Sequence, residues 1–159
     1  MSNVHVVMVL GYFISCMLIY SLFLDAVMSK LSLLKLFFVL AAISFLIPIK
    51  LYRKWLTMSM YEYVFFNILG LTTISCALFF VLNASFKGQP YEESYKIVNI
   101  ERQGKAFLFD LENDQYKEEE YLRTIRDKDP YYRNGNEFFS ITFSDGLFGV
   151  RIVENKRLH

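Results

Sequence analysis

The chain has 159 residues, 54% of them apolar and 21% charged, an average that hides two different halves. Residues 1–90 carry only Lys30, Lys35, Lys50, Arg53, Lys54 and Lys87 against Asp25 and Glu62, whereas residues 91–159 hold eleven basic and fourteen acidic side chains. The first half has too few charges to be wetted, and the acidic balance of the second argues against a nucleic-acid binder; the shift marks two solvents along one chain.

Val4 to Leu24 has no formal charge and, at about 1.5 Å rise per residue, is long enough to cross roughly 30 Å of hydrocarbon. A cleavable signal would need a basic start, and the only ionisable side chain at the start of the run is His5. Phe13-Ile14-Ser15-Cys16 lacks the leucine and the basic start of a lipoprotein box, so the first span is expected to stay in the mature protein.

The second run is Leu31 to Ile49, interrupted by Lys35 one turn inside its end. There the four-carbon stem can carry the ammonium back to the headgroups, which outranks a functional intramembrane lysine. Pro48 lies near the far end, where one lost helical hydrogen bond costs little. A third run extends from about Tyr63 to Phe86, flanked by Tyr61 and Glu62 and ended by Lys87-Gly88-Gln89-Pro90. Tyr52, Trp55, Tyr61 and Tyr63 gather around the second connection, as amphipathic rings do at a membrane boundary. The expected architecture is a membrane α domain over residues 1–88, with spans near 4–24, 31–50 and 62–86, followed by a soluble β-rich domain over 91–159.

Small residues allow close backbone approach within such a bundle. Gly11 and Ser15 offer one face, Ala41 and Ser44 a second, and Gly70, Thr73 and Ala77 a third. Asn67 is the one strongly polar side chain well inside a span. It is expected to take an interhelical hydrogen bond rather than to line a conduction path. For orientation, Lys50, Arg53 and Lys54 form the densest basic cluster beside any span. Placing that connection in the cytoplasm puts the N-terminus inside and the C-terminal domain outside, although Lys30, Lys35 and Lys87 count on the other side. Asn83-Ala84-Ser85 matches a glycosylation triplet, but it lies too close to the span end to carry weight.

The tail reads as strands between turn signals. Tyr95 to Arg102 alternates, with Val98 and Ile100 on one face. Gln103-Gly104 turns into Lys105 to Glu112, where Phe107, Phe109 and Leu111 share a face. Gln115 to Ile125 reads as either a short helix or an edge strand. Asp129-Pro130 and Asn134-Gly135-Asn136 punctuate a polar loop. Phe138 to Phe143 and Leu147 to Val153 then flank a Ser144-Asp145-Gly146 turn, with Phe139, Ile141 and Phe143 facing one way and Phe148, Val150 and Ile152 likewise. These elements predict a five-stranded OB- or SH3-like barrel, with a simple antiparallel sheet as the alternative.

Chemistry finds little support. His5 and His159 are the only histidines, one beside the first span and one at the chain terminus, so no Ser/His or Cys/His nucleophilic arrangement has a base. Cys16 and Cys76 both fall in apolar runs, which leaves zinc without a ligand set and the tail without a disulfide framework. Neither the Glu118-Glu119-Glu120 run nor Asp127-Lys128-Asp129 has the graded spacing of a calcium loop. No cofactor or small-molecule substrate is implied. Tyr131, Tyr132 and Arg133 have the composition of an interface hot spot.

The expected function is therefore a non-enzymatic accessory subunit of a bacterial inner-membrane assembly, touching the lipid bilayer and either a membrane-protein partner or further copies of itself. A small membrane immunity protein against a membrane-acting toxin is the alternative. A membrane enzyme using carboxylates and an oligomeric channel tested at Asn67 rank lower.

Overall fold

A computed structural model describes residues 3–52, 58–113, 119–126 and 137–159. The chain divides into two units, one formed by residues 1–23 and 28–86, the other by residues 24–27 and 87–159.

The first unit is helical. Helix α1 covers Asn3–Phe23 and is apolar all round, without a charged residue in either end turn. Helix α2 covers Lys30–Ser44, and the Ser29 side chain caps it by accepting from the Ser32 N–H. The second apolar run is not one continuous helix. Pro48 has no N–H and its ring collides with the carbonyl four residues back, so α2 stops at Ser44 and the short α3, Ile49–Tyr52, starts afresh. The carbonyls stranded by that break find a donor: Tyr63 Oη lies 2.8 Å from Ile47 O and 3.4 Å from Phe45 O. The proline thus costs more structure than its position near a helix end suggests, and Tyr63 is buried at this break.

The last helical stretch runs unbroken over Met60–Ser85 and is the one described helix long and apolar enough to cross a membrane; the apolar stretch Met8–Phe23 is shorter. It opens with α4, Met60–Phe65, through a capping box in which Ser59 Oγ accepts from the Glu62 N–H and the Glu62 carboxylate accepts from the Ser59 N–H. A π-helical segment, Phe66–Thr72, follows before α5, Thr73–Ser85. Side chains competing for the backbone account for the widened turn. Asn67 Nδ2 donates to Tyr63 O, Thr72 Oγ1 to Asn67 O, and Thr73 Oγ1 to Gly70 O.

The second unit is a five-stranded antiparallel sheet, nearly closed into a barrel, with strand order β3-β2-β1-β4-β5. The strands are β1 Tyr91–Gln103, β2 Ala106–Leu111, β3 Thr124–Arg126, β4 Phe138–Asp145 and β5 Arg151–Leu158. Strand β1 is longer than the alternation suggests. Its inward positions are Tyr91, Tyr95 and Ile97, which pack on the core, while Val98, at a register shift between Ile97 and Asn99, and Ile100 just beyond it are exposed. The core consists of Phe107, Phe109, Leu122, Ile125, Phe139, Ile141, Phe143 and Leu158. Of the ambiguous stretch 115–125, the described part is a turn leading into β3, with no helix.

Two features close the sheet. Lys156 on β5 donates from Nζ to Tyr121 O at 2.5 Å, and Thr124 O lies 3.5 Å away, which ties the β5 side to the approach of β3. Residues 24–27, the connection after α1, belong to this unit and extend its β5 edge. Ala26 bridges Ile152, the Val27 N–H donates to Arg151 O at 2.8 Å, and the Val153 N–H donates to Asp25 O at 2.7 Å. Tyr121 Oη donates to Ala26 O at 3.0 Å from the other side.

The β4–β5 hairpin differs from its expected form. Ser144 and Asp145 remain in β4, and the turn is displaced onto Gly146–Gly149, closed by Gly146 N–H to Val150 O and Gly149 N–H to Gly146 O. Gly149 has φ +75°, a conformation that costs glycine nothing, so the chain reverses there rather than at the Ser-Asp-Gly triplet. Leu147 and Phe148 therefore sit on the turn, not in a strand.

Candidate functional site

The helical unit presents two arrangements that can act. The first is an apolar groove of about 310 Å³ between α1 and α5. Gly11, Ser15 and Ala77 are among its lining residues, with Ile14, Leu18 and Leu78 around them; Ser15 and Ala77 are buried, and those three larger side chains are exposed. Close helix approach explains its shape, since a Cβ on Gly11 would lie 3.4 Å from Ile74 Cδ1. The groove offers shape and dispersion contact with little polar content, which suits a helix or an acyl chain.

The second arrangement is a polar cluster inside the unit. Asn67 is 0% exposed and keeps its amide occupied, donating to Tyr63 O at 2.8 Å and facing Tyr52 Oη across 3.5 Å at Oδ1. Its main partner is thus a carbonyl four residues back on its own helix, and the longer contact to Tyr52 reaches across to α3. Thr72 is also fully buried and Ser44 nearly so, their hydroxyls 3.4 Å apart, and Ser44 donates to Ala41 O at 2.8 Å. Gly70 lies near Met8, where an added Cβ would meet Met8 Cγ at 3.8 Å. Thr73 is buried and bonded within its own helix. Of the expected packing residues, Gly11, Ser15 and Ala77 meet at the groove, and Ser44 and Asn67 lie in the interior together with Thr72.

Of the residues assigned to a membrane boundary, Lys35 and Tyr61 are exposed and Tyr52 is half-buried against Tyr63 and Phe66. Trp55 and the interface candidates Tyr131, Tyr132 and Arg133 lie outside the described residues.

In the sheet unit several charged side chains pair with one another. Arg123, almost fully buried, donates to Phe109 O at 3.0 Å and to Asp110 Oδ1 at 3.1 Å. Arg151 pairs with Glu93 at 3.2 Å, and Lys87 with Glu154 at 2.5 Å. The Lys87 ammonium holds the Glu154 carboxyl below its ordinary range, helped by the Ser144 hydroxyl. Burial pushes Lys156 down to about 8, with the Asp25 carboxylate pulling the other way. Among the described residues no group of three His, Cys, Asp or Glu could hold a metal ion. Sequence reasoning missed Lys156 and Arg123, because nothing in an alternating pattern separates a lysine that closes a barrel from one on its outside.

Comparison with protein-family models, curated proteins and solved structures finds no match to this chain.

Proposed function

We propose that the chain is a non-enzymatic, multi-pass subunit of a bacterial inner membrane that carries a small β unit at the membrane surface for contact with a partner protein. The observation that supports this reading is the inverted polarity of the helical unit. Its buried side chains include Ser15, Ser44, Asn67, Thr72, Thr73 and Asn83, while Met17 is 74% exposed and Leu46 79% exposed, with Phe13, Phe38, Val39 and Phe65 also outside. Water would reverse that distribution, and hydrocarbon favours it.

Chain connectivity supports the number of crossings. Residues 24–27 and residues 87–159 belong to one unit, so the segment between them must return to the side it left. Two crossings do this, one by α2 and its continuation through α3, the other by Met60–Ser85. Helix α2 alone, with 15 residues, rises only about 22 Å. The bent continuation past Pro48 supplies the remaining length toward roughly 30 Å. With Lys50 and its basic neighbours in the cytoplasm, the N-terminus lies inside and the β unit outside. In this setting the groove at Gly11, Ser15 and Ala77 would seat a helix of the partner.

Alkaline carbonate extraction and reporter fusions test the reading together. The protein is expected to stay with the membrane, a reporter after His159 to be active only outside, and one after Tyr52 only inside. Release by carbonate overturns the membrane reading. Recovery of a lone monomer from mild detergent overturns the subunit role.

A further inference from the structure

The β4–β5 turn carries two large apolar side chains that are partly exposed, Leu147 at 53% and Phe148 at 48%. Their place in the sheet unit gives the exposure a direction. Strand β1 begins beside the end of β4, with Tyr91 opposite Phe143, and the Gly88 N–H donates to Asp145 O at 2.8 Å. The first residues after α5 are thus fastened at the base of this turn. Residues 25–27, which follow α1, are fastened to Arg151, Ile152 and Val153 on its other arm. The chain therefore arrives from its apolar helices twice at the same end of the sheet, and the turn carrying Leu147 and Phe148 lies between the two arrivals. Toward the opposite end Val98, Ile100 and Phe138 are exposed as well, but neither connection from the helices arrives there.

We propose that Leu147 and Phe148 form an interfacial anchor, inserted among the lipid headgroups and upper acyl chains on the side where the β unit lies. This rests on the membrane reading above, because only helices crossing a bilayer bring those two arrivals to a lipid surface. Partition of a Leu and a Phe out of water drives the insertion. The glycines at both ends of the turn let its backbone lie close to the surface. Lys87 lies at the same end, paired with Glu154. The anchor would fix the tilt of the β unit and so the face it offers to a partner.

The test uses the full chain in vesicles of phosphatidylcholine and phosphatidylglycerol with bromine atoms just below the headgroups. Trp55, the only tryptophan, is replaced by Phe, and a reporter is introduced as Phe148→Trp, Leu147→Trp or, on the outward face of β1, Val98→Trp. Wild-type and reporter proteins are first floated with vesicles after a carbonate wash. Flotation with about twofold quenching at 147 and 148 and little at 98 is the expected result. Flotation with equal quenching at all three positions, or with none at 147 and 148, overturns the anchor and leaves the membrane reading standing. Failure of the wild type to float overturns both. The two turn positions report independently, so a misfolded variant at one leaves the other decisive.

Discussion

The Lys156 ammonium donates to the backbone carbonyl of Tyr121 at 2.5 Å, across the seam where the last strand meets the approach to β3. The bond sets an ionisable amine in a half-buried place, and burial lowers the group to about 8 from its ordinary 10.5. Between those two values the unfolded chain keeps a proton that the folded chain has released. The unfolded state then binds more protons, so stability rises with pH from about 8 to about 10.5 and is flat below. The full swing is about 3 kcal/mol at most. Thermal unfolding of the sheet unit in detergent, followed across that range, should show the rise in wild type and lose it in Lys156→Met. Parallel pH profiles in the two proteins would sink this account.

The Phe109 and Phe139 rings stack with centroids 5.3 Å apart, and both are fully buried. Phe139→Ala should cost about 3–5 kcal/mol, enough to unfold a sheet of this size at ordinary temperature. Loss of dispersed amide signals from residues 91–159, with the helical circular-dichroism signal retained, is the expected outcome. An unfolding temperature within a few degrees of wild type would contradict the assigned core.

Asn67 inside the π segment supplies a different test. Asn67→Leu removes the donor to Tyr63 O and the acceptor facing Tyr52, at an expected cost of about 1–2 kcal/mol in detergent stability. Tyr52→Phe, which gives up only a 3.5 Å contact, should cost less. If Tyr52→Phe proves the more damaging, the bond to α3 rather than the one within the helix is what matters.

Much of this was readable from the residues, for physical reasons. Uninterrupted apolar runs and the inward faces of β2 and β4 depend on local periodicity, which sequence records directly: Phe107 and Phe109, and Phe139, Ile141 and Phe143, all lie where alternation puts them. The misses are non-local. The break at Pro48 depends on a tyrosine from another helix being present to receive its stranded carbonyls. The π segment depends on Asn67, Thr72 and Thr73 all bonding back to the main chain. The β4–β5 turn moved because Gly149, not the Ser-Asp-Gly triplet, took the left-handed position. The candidate groove was legible only in pieces, since spacing shows which residues are small but not which of them meet.

Residues 25–27 pair with β5 through the Val27 and Val153 amides, a ladder that no local signal in Leu24-Asp25-Ala26-Val27 foretells. Hydrogen exchange should find those two amides protected and opening together. In a chain ended at Val150, the Val27 amide should exchange like that of an open loop. Protection of Val27 without β5 would show that another element holds it.

That ladder also orders events during synthesis. Asp25, Ala26 and Val27 are made well before their backbone partners, Arg151 to Val153. Until β5 is made, the Val27 N–H and the Asp25 carbonyl lack these partners, and a chain stalled before Arg151 leaves that connection unpaired.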